Sequence, residues 1–447
     1  MNRFIRTGGG KMIKKLLVSL LSISICLSLC SCALFSADTE ELIAPPQLSG
    51  DMLPIKAALE KSAPKGYSLK YPSEGEKRSA VVLEDINNDG LNEALAFYST
   101  DEDELTKMHI NLIAYNSKEW ESVCEASVTA GGIEKVEFCD LNGDGKKEIA
   151  VGWEIFGSGE KRLSVYSFEN RELKLLLDES YTSFLCCDLS GDNKDDIFIQ
   201  LLSTSDQNNN AKLFGFKDNS VIRIGGCVMD KSIKTALQPK LATLSTGQNA
   251  VYIDEIKGIG AVTEVIFYKK GELVNGLLDN SESMENTVTL RQSSILLQDI
   301  DDDGQIEIPV ASTLKNADSE SKEIMYYTNW CTYNGEALTV KRSTVVNSVD
   351  GYTVELPDKL MGKIAVKKDT DSKSRIIYTF NPETDEIGGM ITEFLTVKSE
   401  KYDKKIYKEY KKITQSKGYT YLYKTGAEAE SQGISEEQIK NMFKLSS

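Results

Sequence analysis

The chain has 447 residues, 40% hydrophobic and 27% charged, which is the composition of a folded protein of roughly two to four domains and excludes a disordered or collagen-like chain. Its 68 acidic residues outnumber 52 basic ones, and the resulting net charge of −16 argues against a nucleic-acid partner. The one histidine, His109, excludes three-histidine zinc sites and H-E-x-x-H metalloproteases, and it leaves little room for a Ser-His-Asp triad.

Residues 1–31 are predicted to be a bacterial lipoprotein signal peptide. Two lysines precede an apolar run from Leu16 to Leu29, which is shorter than the roughly 20 residues that span a bilayer but suits a signal-peptide core. The motif Leu29-Cys30-Ser31-Cys32 resembles the box at which bacterial lipoproteins are cleaved and acylated. The resemblance implies a lipidated Cys32 and an anchor on the extracytoplasmic face of the bacterial cell membrane. Ordinary secretion, with cleavage after a small residue, is the alternative.

The residues on either side of the apolar run refine this prediction. A Gly-Gly-Gly-Lys stretch precedes Met12, which indicates that translation starts at Met12. Residues 32–52 are mostly polar, contain Pro45 and Pro46, and are predicted to be a tether from the membrane. Removal of residues 1–31 takes away five basic residues and no acidic ones, so the remaining chain carries −21.

Four nine-residue segments align without gaps. Each has an oxygen-bearing side chain at positions 1, 3 and 5, an apolar residue at position 2, glycine or asparagine at position 6 and an acid at position 9. The segments are DINNDGLNE from Asp85, DLNGDGKKE from Asp140, DLSGDNKDD from Asp188 and DIDDDGQIE from Asp299. We call them loops 1 to 4.

This spacing is typical of a calcium loop, because Ca²⁺ takes six to eight oxygen ligands and alternate residues of a tight turn can point to one centre. We assign side-chain ligands at positions 1, 3, 5 and 9 and a backbone carbonyl at position 7. The predicted ligands are Asp85, Asn87, Asp89, Leu91 and Glu93; Asp140, Asn142, Asp144, Lys146 and Glu148; Asp188, Ser190, Asp192, Lys194 and Asp196; and Asp299, Asp301, Asp303, Gln305 and Glu307. An EF-hand is excluded, since its position 12 needs glutamate and these loops have Ala96, Val151, Ile199 and Val310 there.

The loops belong to a longer repeat. Their starts are separated by 55, 48 and 111 residues, and the last interval predicts a degenerate unit, found at 240–256 with Ser245–Asn249 in place of the acidic loop. Each unit also has a second predicted hairpin. Four strands about every 50 residues are typical of a propeller blade, and five such units run from about residue 80 to residue 347.

The loops and their flanking strands resemble the FG-GAP/VCBS repeats of integrin-type β-propellers. The segment YSLKYPSEGEKRSAVVLEDINNDGLNEALAFY also resembles the opening of bacterial lipoproteins that carry VCBS repeats. The resemblance implies a mainly β fold with a calcium-loop propeller over residues 53–347, in which five visible four-stranded repeats are compatible with five to seven blades. Ser190 and Asn193 depart from the pattern and are expected to weaken the third site.

Residues 348–447 are predicted to form a small α+β domain. Strands are expected in GYTVELPDKLMGKIAVKK, RIIYTFN, GMITEFLTV and GYTYLYKT. A helix is predicted from Lys404 to Gln415, and a final helix is predicted to begin at Ser435 with Gln438 at the capping-box position.

Six cysteines follow Cys32. An even number outside the membrane is compatible with disulfides, which are the alternative, but buried free thiols are the favoured prediction. Cys139 and Cys187 occupy the same strand position in neighbouring units, and equivalent positions in a propeller are usually too far apart for a disulfide. The adjacent Cys186 and Cys187 should point to opposite faces of their strand.

The sequence therefore predicts a membrane-anchored extracytoplasmic lipoprotein with a calcium-stabilised propeller, in which calcium is structural. The expected role is that of a binding or scaffold module for a protein or glycan ligand. An extracellular hydrolase or lyase that uses carboxylates in the propeller channel is the alternative, and a purely structural role in envelope assembly is a third.

Overall fold

The computed structural model describes residues 50–100, 107–157, 159–203, 208–279, 284–369 and 371–445. The predicted signal peptide, Cys32 and most of the predicted tether lie outside the described residues. The described chain is mainly β and forms antiparallel sheets that follow one another along the sequence. In the described part, no helix is long and apolar enough to cross a membrane.

Sheet 1 follows a short helix. A 3-10 turn at Gly50–Met52 leads into α1 (Leu53–Ser62), which has a proline in its first turn. The helix places Ile55, Ala58 and Leu59 on one face, at the i, i+3, i+4 spacing of an amphipathic helix, and this face packs on sheet 1. The strands of sheet 1 are β1 (Ser68–Leu69), β2 (Val81–Glu84), β3 (Glu93–Ser99), β4 (Lys107–Tyr115) and β5 (Trp120–Thr129).

Sheets 2 and 3 are four-stranded meanders in sequence order. Sheet 2 contains β6 (Gly132–Cys139), β7 (Glu148–Glu154), β8 (Lys161–Glu169) and β9 (Glu172–Tyr181). Sheet 3 contains β10 (Ser183–Cys187), β11 (Asp196–Leu201), β12 (Asn210–Lys217) and β13 (Ser220–Val228). Six consecutive residues of β7 are buried, because sheets pack on both of its faces.

Sheets 4 and 5 continue the series. Sheet 4 contains β14 (Thr235–Ala236), β15 (Lys240–Thr243), β16 (Asn249–Lys257), β17 (Gly260–Lys269), β18 (Glu272–Asn275) and β19 (Arg291–Gln292). The predicted degenerate unit is therefore confirmed as strand, turn and strand. Sheet 5 begins with β20 (Ile308–Asn316), β21 (Met325–Tyr333) and β22 (Leu338–Asn347), and a single bridge between Gln298 and Glu307 stands in place of its first strand.

The C-terminal region extends sheet 5 instead of starting a separate sheet. Its elements are β23 (Tyr352–Leu356), a 3-10 turn (Asp358–Leu360), β24 (Ile364–Asp369), β25 (Ser374–Asn381), β26 (Glu386–Lys398), a second 3-10 turn (Ser399–Lys401), β27 (Lys411–Ser416), β28 (Tyr419–Thr425), α2 (Glu428–Ser431), α3 (Glu436–Met442) and β29 (Phe443–Leu445). A parallel pairing of β20 with β24 joins the two parts into one ten-stranded sheet. Leu314 and Val345 of sheet 5 share a hydrophobic cluster with Ile391 and Phe394 of this region.

The predicted helix from Lys404 to Gln415 is wrong. Turns cover residues 404–409, and β27 pairs antiparallel with β28. The tyrosines of this segment, Tyr407 and Tyr410, pack with Tyr402 against Leu395 and Leu422, so tertiary packing overrides the helical spacing. The final helix is confirmed, and Ser435 and Gln438 form the expected capping box.

Each sheet packs on the next through its own apolar cluster, and these clusters form the core. They lie between sheets 1 and 2 around Trp153, between sheets 2 and 3 around Phe184, between sheets 3 and 4 around Ile253, and between sheets 4 and 5 around Phe267. At the two ends of the series, α1 covers the outer face of sheet 1 and the C-terminal region covers sheet 5.

Two carboxyl groups are fully buried between sheets 3 and 4, those of Glu255 and Glu264. Gln200 Nε2 donates to Glu255 Oε1 at 2.6 Å, and Asn275 Nδ2 donates to Glu264 Oε1 at 2.6 Å. The second oxygen of each glutamate has no N–H or O–H partner, and the two carboxyl groups are within hydrogen-bonding reach of each other. Burial raises the pKa of both, which favours a proton shared between the two carboxyl groups.

This pair predicts a stability that falls as the pH rises. Unfolded glutamates ionise near a pKa of about 4.3, so the stabilisation is complete below that pH and is lost as the pH rises through the raised pKa of the folded pair. Glu264→Gln supplies a neutral side chain, and its melting temperature should therefore fall less between about pH 6 and about pH 9 than that of the unchanged chain. Thermal unfolding followed by circular dichroism measures this.

Glu272→Gln is the matched control, because Glu272 is exposed on β18, the strand that also carries Asn275. Its melting temperature should follow that of the unchanged chain at every pH. The same pH slope in all three proteins would contradict the shared proton.

Candidate calcium loops

The four loops lie at equivalent points of the fold. Loops 1, 2 and 3 each connect two paired antiparallel strands of a sheet, β2 to β3, β6 to β7 and β10 to β11, and loop 4 leads into β20. This is the position that the repeat predicts. Each loop turns the chain sharply between two buried strands, so its backbone N–H groups need partners inside the turn.

The aspartate at position 1 supplies those partners. Its carboxylate accepts the N–H of position 6 in every loop, at 3.0 Å for Asp85, 2.8 Å for Asp140, 3.0 Å for Asp188 and 2.8 Å for Asp299. It also accepts the N–H of position 5 in every loop. The turn is therefore folded around the carboxylate that the sequence assigns as the first ligand.

Positions 4 and 6 both adopt left-handed backbone conformations. The four loops have Asn88, Gly143, Gly191 and Asp302 at position 4, and Gly90, Gly145, Asn193 and Gly304 at position 6, all with φ between 59° and 88°. Glycine, asparagine and aspartate tolerate this region best. Asn193 at position 6 of loop 3 therefore keeps the backbone of the other loops, although the sequence marked it as a departure.

The acid at position 9 is buried in each loop and accepts the N–H of position 2, at 2.9 to 3.0 Å. Burial raises the pKa of all four acids, of Glu148 to about 7 and of Asp196 to about 6, and the other acids of each loop add to the effect. A cation among these carboxylates would favour their ionised form, since an opposite charge lowers the pKa of an acid.

Loop 4 brings its acids closest together. It alone has an acid at position 3, and oxygen atoms of Asp299, Asp301 and Glu307 all lie within 4.8 Å of one another. Asp301 Oδ1 and Glu307 Oε1 are buried and have no hydrogen-bond partner. Three carboxylates, two of which have an unpartnered oxygen, form a donor set that fits a hard divalent cation. Arg342 Nε lies 3.4 Å from the other oxygen of Asp301.

In loops 1 and 2 the side chain of the asparagine at position 3 makes hydrogen bonds within the turn. Asn87 Oδ1 accepts the N–H of Asp89 at 2.9 Å, and Asn142 Oδ1 accepts the N–H of Asp144 at 2.7 Å. Asn87 also donates its amide to Glu93 Oε1 at 2.9 Å. The fit to a cation thus differs among the loops and is most complete in loop 4.

The residues at position 7 lie within the same turns. Leu91, Lys146, Lys194 and Gln305 each donate their N–H to the aspartate at position 5, at 2.8 to 3.0 Å. Their carbonyls, the predicted backbone ligands, therefore belong to a turn that is closed by the predicted side-chain ligands.

Neighbouring loops are hydrogen-bonded to each other, which sequence reasoning missed. Lys147 N, at position 8 of loop 2, donates to Ile86 O of loop 1 at 2.8 Å, and Asp195 N, at position 8 of loop 3, donates to Asp140 O of loop 2 at 3.0 Å. In sheet 4, which has no acidic loop, Asn249 Nδ2 donates instead to Asp188 O at 2.6 Å. Loops 1 and 2 are also closely packed at Gly145. A Cβ added to Gly145 would lie 2.5 Å from Asn88 Nδ2, so a larger residue would not fit there without a shift.

A groove of about 560 Å³ lies along β2, β6 and β10 of sheets 1 to 3, and Gln238 and Pro239, which precede β15 of sheet 4, also line it. Lysines and glutamates pair along it: Lys77 and Lys147 contact Glu84 at 2.9 and 2.5 Å, and Lys135 contacts Glu137 at 2.7 Å. The lysines lower the pKa of Glu84 against the effect of its burial. The only sequence signal for the groove was the spacing of its charged residues, such as Lys135 and Glu137, two apart on one strand. This signal was too weak to identify the groove.

Comparisons with known proteins find only remote likenesses. No family model and no curated protein match the chain. A rhamnogalacturonan lyase of Bacillus licheniformis is 12% identical over 81% of this chain and 86% of its own, with a TM-score of 0.31, and the exotype rhamnogalacturonan lyase YesX is 11% identical over 81% and 88%, with a TM-score of 0.31. The Dos1 propeller is 10% identical over 80% of this chain and 81% of its own, with a TM-score of 0.29. At these TM-scores the likenesses carry no conclusion about the fold or the function of this chain.

Loop 4 allows a direct test of the metal assignment. Asp299→Asn removes a carboxylate at position 1, and the protein should bind about one calcium equivalent fewer at millimolar calcium, the range typical of extracellular modules. Equilibrium dialysis measures the number bound. Thermal unfolding should show a smaller rise in melting temperature with calcium for this variant.

Asp302→Asn is the matched control in the same loop. Position 4 is no predicted ligand, and asparagine suits its φ of 59°. This variant should bind as much calcium as the unchanged chain. Equal losses in both variants would point to charge rather than coordination, and no bound calcium in the unchanged chain would refute the four sites.

Proposed function

We propose that this protein is a calcium-stabilised β-propeller lipoprotein, held by a lipidated Cys32 on the extracytoplasmic face of a bacterial membrane, where it binds or scaffolds a protein or glycan ligand. The observation that carries the proposal is the shared geometry of the four loops. In each loop the aspartate at position 1 accepts N–H groups of the turn, and positions 4 and 6 have left-handed backbone conformations. The buried acid at position 9 accepts the N–H of position 2. Extracellular calcium is abundant enough to occupy sites of modest affinity, so an extracytoplasmic location suits these loops.

The resemblance to FG-GAP/VCBS repeats supports a propeller of five to seven blades, of which sheets 1 to 5 would be the visible ones. Helix α1 covers sheet 1 and the C-terminal region covers sheet 5, on the faces where the first and last blades of a closed propeller would pack on each other. Calcium in these loops would fix the rims of the sheets, which is a structural role.

The groove supports the binding role. It combines paired charges with the partly buried ring of Phe138 and the exposed end of Lys77, which lies 5.9 Å from the centre of that ring. Such a mixed surface suits the polar groups and apolar faces of a sugar or a peptide. We therefore place the ligand along the groove.

The alternative, a hydrolase or lyase, has less support. It needs two acids that converge on a cleft with separated pKa values. The carboxylates of Glu84 and Glu137 in the groove are both paired with lysine. Paired carboxylates are better suited to hold the strands and the ligand than to exchange protons.

The anchor is tested by substitution at the lipobox. Cys32→Ala should move the protein from the membrane fraction to the soluble extracytoplasmic fraction or leave it unprocessed, because the acyl chains attach to that thiol. Cell fractionation and labelling with a fatty acid measure this. Cys30→Ala is the control, since a small residue is tolerated there; equal labelling of the Cys32→Ala protein would exclude the anchor.

The binding role is tested by capture of partners from the bacterial envelope. A ligand held along the groove should be captured in calcium, lost after chelation and weakened by Lys77→Ala, while Lys61→Ala, on the exposed surface of α1, should leave capture unchanged. Quantitative mass spectrometry and glycan analysis of the captured material measure this. Capture that is unaffected by both calcium and Lys77→Ala would contradict the proposal.

A further inference from the structure

The first strands of sheets 2 and 3, β6 and β10, lie side by side, and side chains of β6 reach the backbone of β10 at regular intervals. Lys135 Nζ donates to Phe184 O at 2.5 Å, and Glu137 Oε2 accepts the N–H of Cys186 at 2.8 Å. Side chains two residues apart on a strand point to the same face. Cys139, the next residue in this series, therefore also points to β10.

The side chain of Cys186, on β10, points towards β6. Its side chain packs in the cluster between sheets 2 and 3, which contains Cys139, whereas Cys187 belongs to the cluster between sheets 3 and 4. The prediction that these two adjacent cysteines point to opposite faces is thus confirmed. The side chains of Cys139 and Cys186 therefore lie in one cluster, on the facing strands β6 and β10.

The two thiols differ in access. Cys139 is 1% exposed, while Cys186 is partly exposed and lines the groove of about 560 Å³. A reagent in the groove can therefore reach Cys186, whereas Cys139 is enclosed in the cluster between sheets 2 and 3. This is the arrangement of an attacking and a resolving thiol.

We propose that Cys139 and Cys186 are a disulfide site that covalently joins sheets 2 and 3 at the start of loop 2. The thiols are free in the structure. In the reaction, the Cys186 thiolate attacks the disulfide of a thiol–disulfide oxidoreductase or of oxidised glutathione and forms a mixed disulfide. The Cys139 thiolate then attacks Cys186 Sγ, the new S–S bond forms and the reduced thiol leaves. Two protons and two electrons pass from the cysteine pair to the oxidant, which ends as two thiols.

The inference rests on the proposed function only for the source of the oxidant, since an extracytoplasmic location supplies disulfide-forming enzymes. The chemistry itself can be tested on the purified full chain with oxidised glutathione at about pH 8.5, where thiolates are more abundant. The native protein is then alkylated, digested with trypsin without reduction and analysed by mass spectrometry. The expected product joins peptides 136–146 and 175–194, which contain Cys139 and Cys186.

Two variants locate the bond, because peptide 175–194 also contains Cys187. Cys187→Ser should still give the cross-linked product, and Cys186→Ser should lose it completely. Oxidation should also raise the melting temperature of the unchanged chain by a few degrees, and dithiothreitol should reverse the rise. Cys186→Ser should show neither change.

Three results would overturn the inference: free Cys139 and Cys186 after oxidation of the native protein, a cross-link that forms only in denaturant, or one that needs Cys187. Failure of the membrane anchor would leave this test unaffected, since it supplies its own oxidant. Failure of the cross-link would likewise leave the anchor and the calcium loops standing.

Discussion

A hydrogen bond between consecutive loops sets the spacing of the first four sheets. A backbone N–H from loop 2 binds a carbonyl of loop 1, and one from loop 3 binds a carbonyl of loop 2. The apolar clusters between sheets provide most of the burial, but apolar contacts are non-directional and tolerate sliding. The loop-to-loop bonds are directional, so they fix how far each sheet is turned and shifted relative to the one before it.

This constraint explains why the ends of the chain are built differently from the middle. A repeat that packs on neighbours at both faces leaves one apolar face uncovered at each end of the series. Helix α1 covers Val81, Ala96 and Ile113 on sheet 1. At the other end, β24 continues sheet 5 and its region covers Leu314 and Val345. The C-terminal region therefore shares a hydrophobic cluster and a continuous sheet with sheet 5.

Local signals allowed the loops, their turn residues and most strands to be predicted, since each is determined within about ten residues. The segment from Lys404 to Gln415 shows the limit. Its apolar residues have helical spacing, yet the edge of β28 offers hydrogen bonds and a surface for its tyrosines. The groove, the Glu255–Glu264 pair and the contact of Cys139 with Cys186 escaped prediction for a related reason. Each joins residues from different strands or sheets, and only the packing brings them together.

The link between sheets 3 and 4 differs in kind from those before it, and this difference governs where the series can be broken by mutation. A main-chain N–H survives every substitution except proline, so the first two links are protected from most changes at Lys147 and Asp195. The third link is a side-chain amide, and any change of Asn249 to a residue without a suitable donor removes it. The repeat is therefore expected to tolerate substitutions unevenly. Of the three links, the one between sheets 3 and 4, where sheet 4 has no acidic loop, is the most sensitive to substitution.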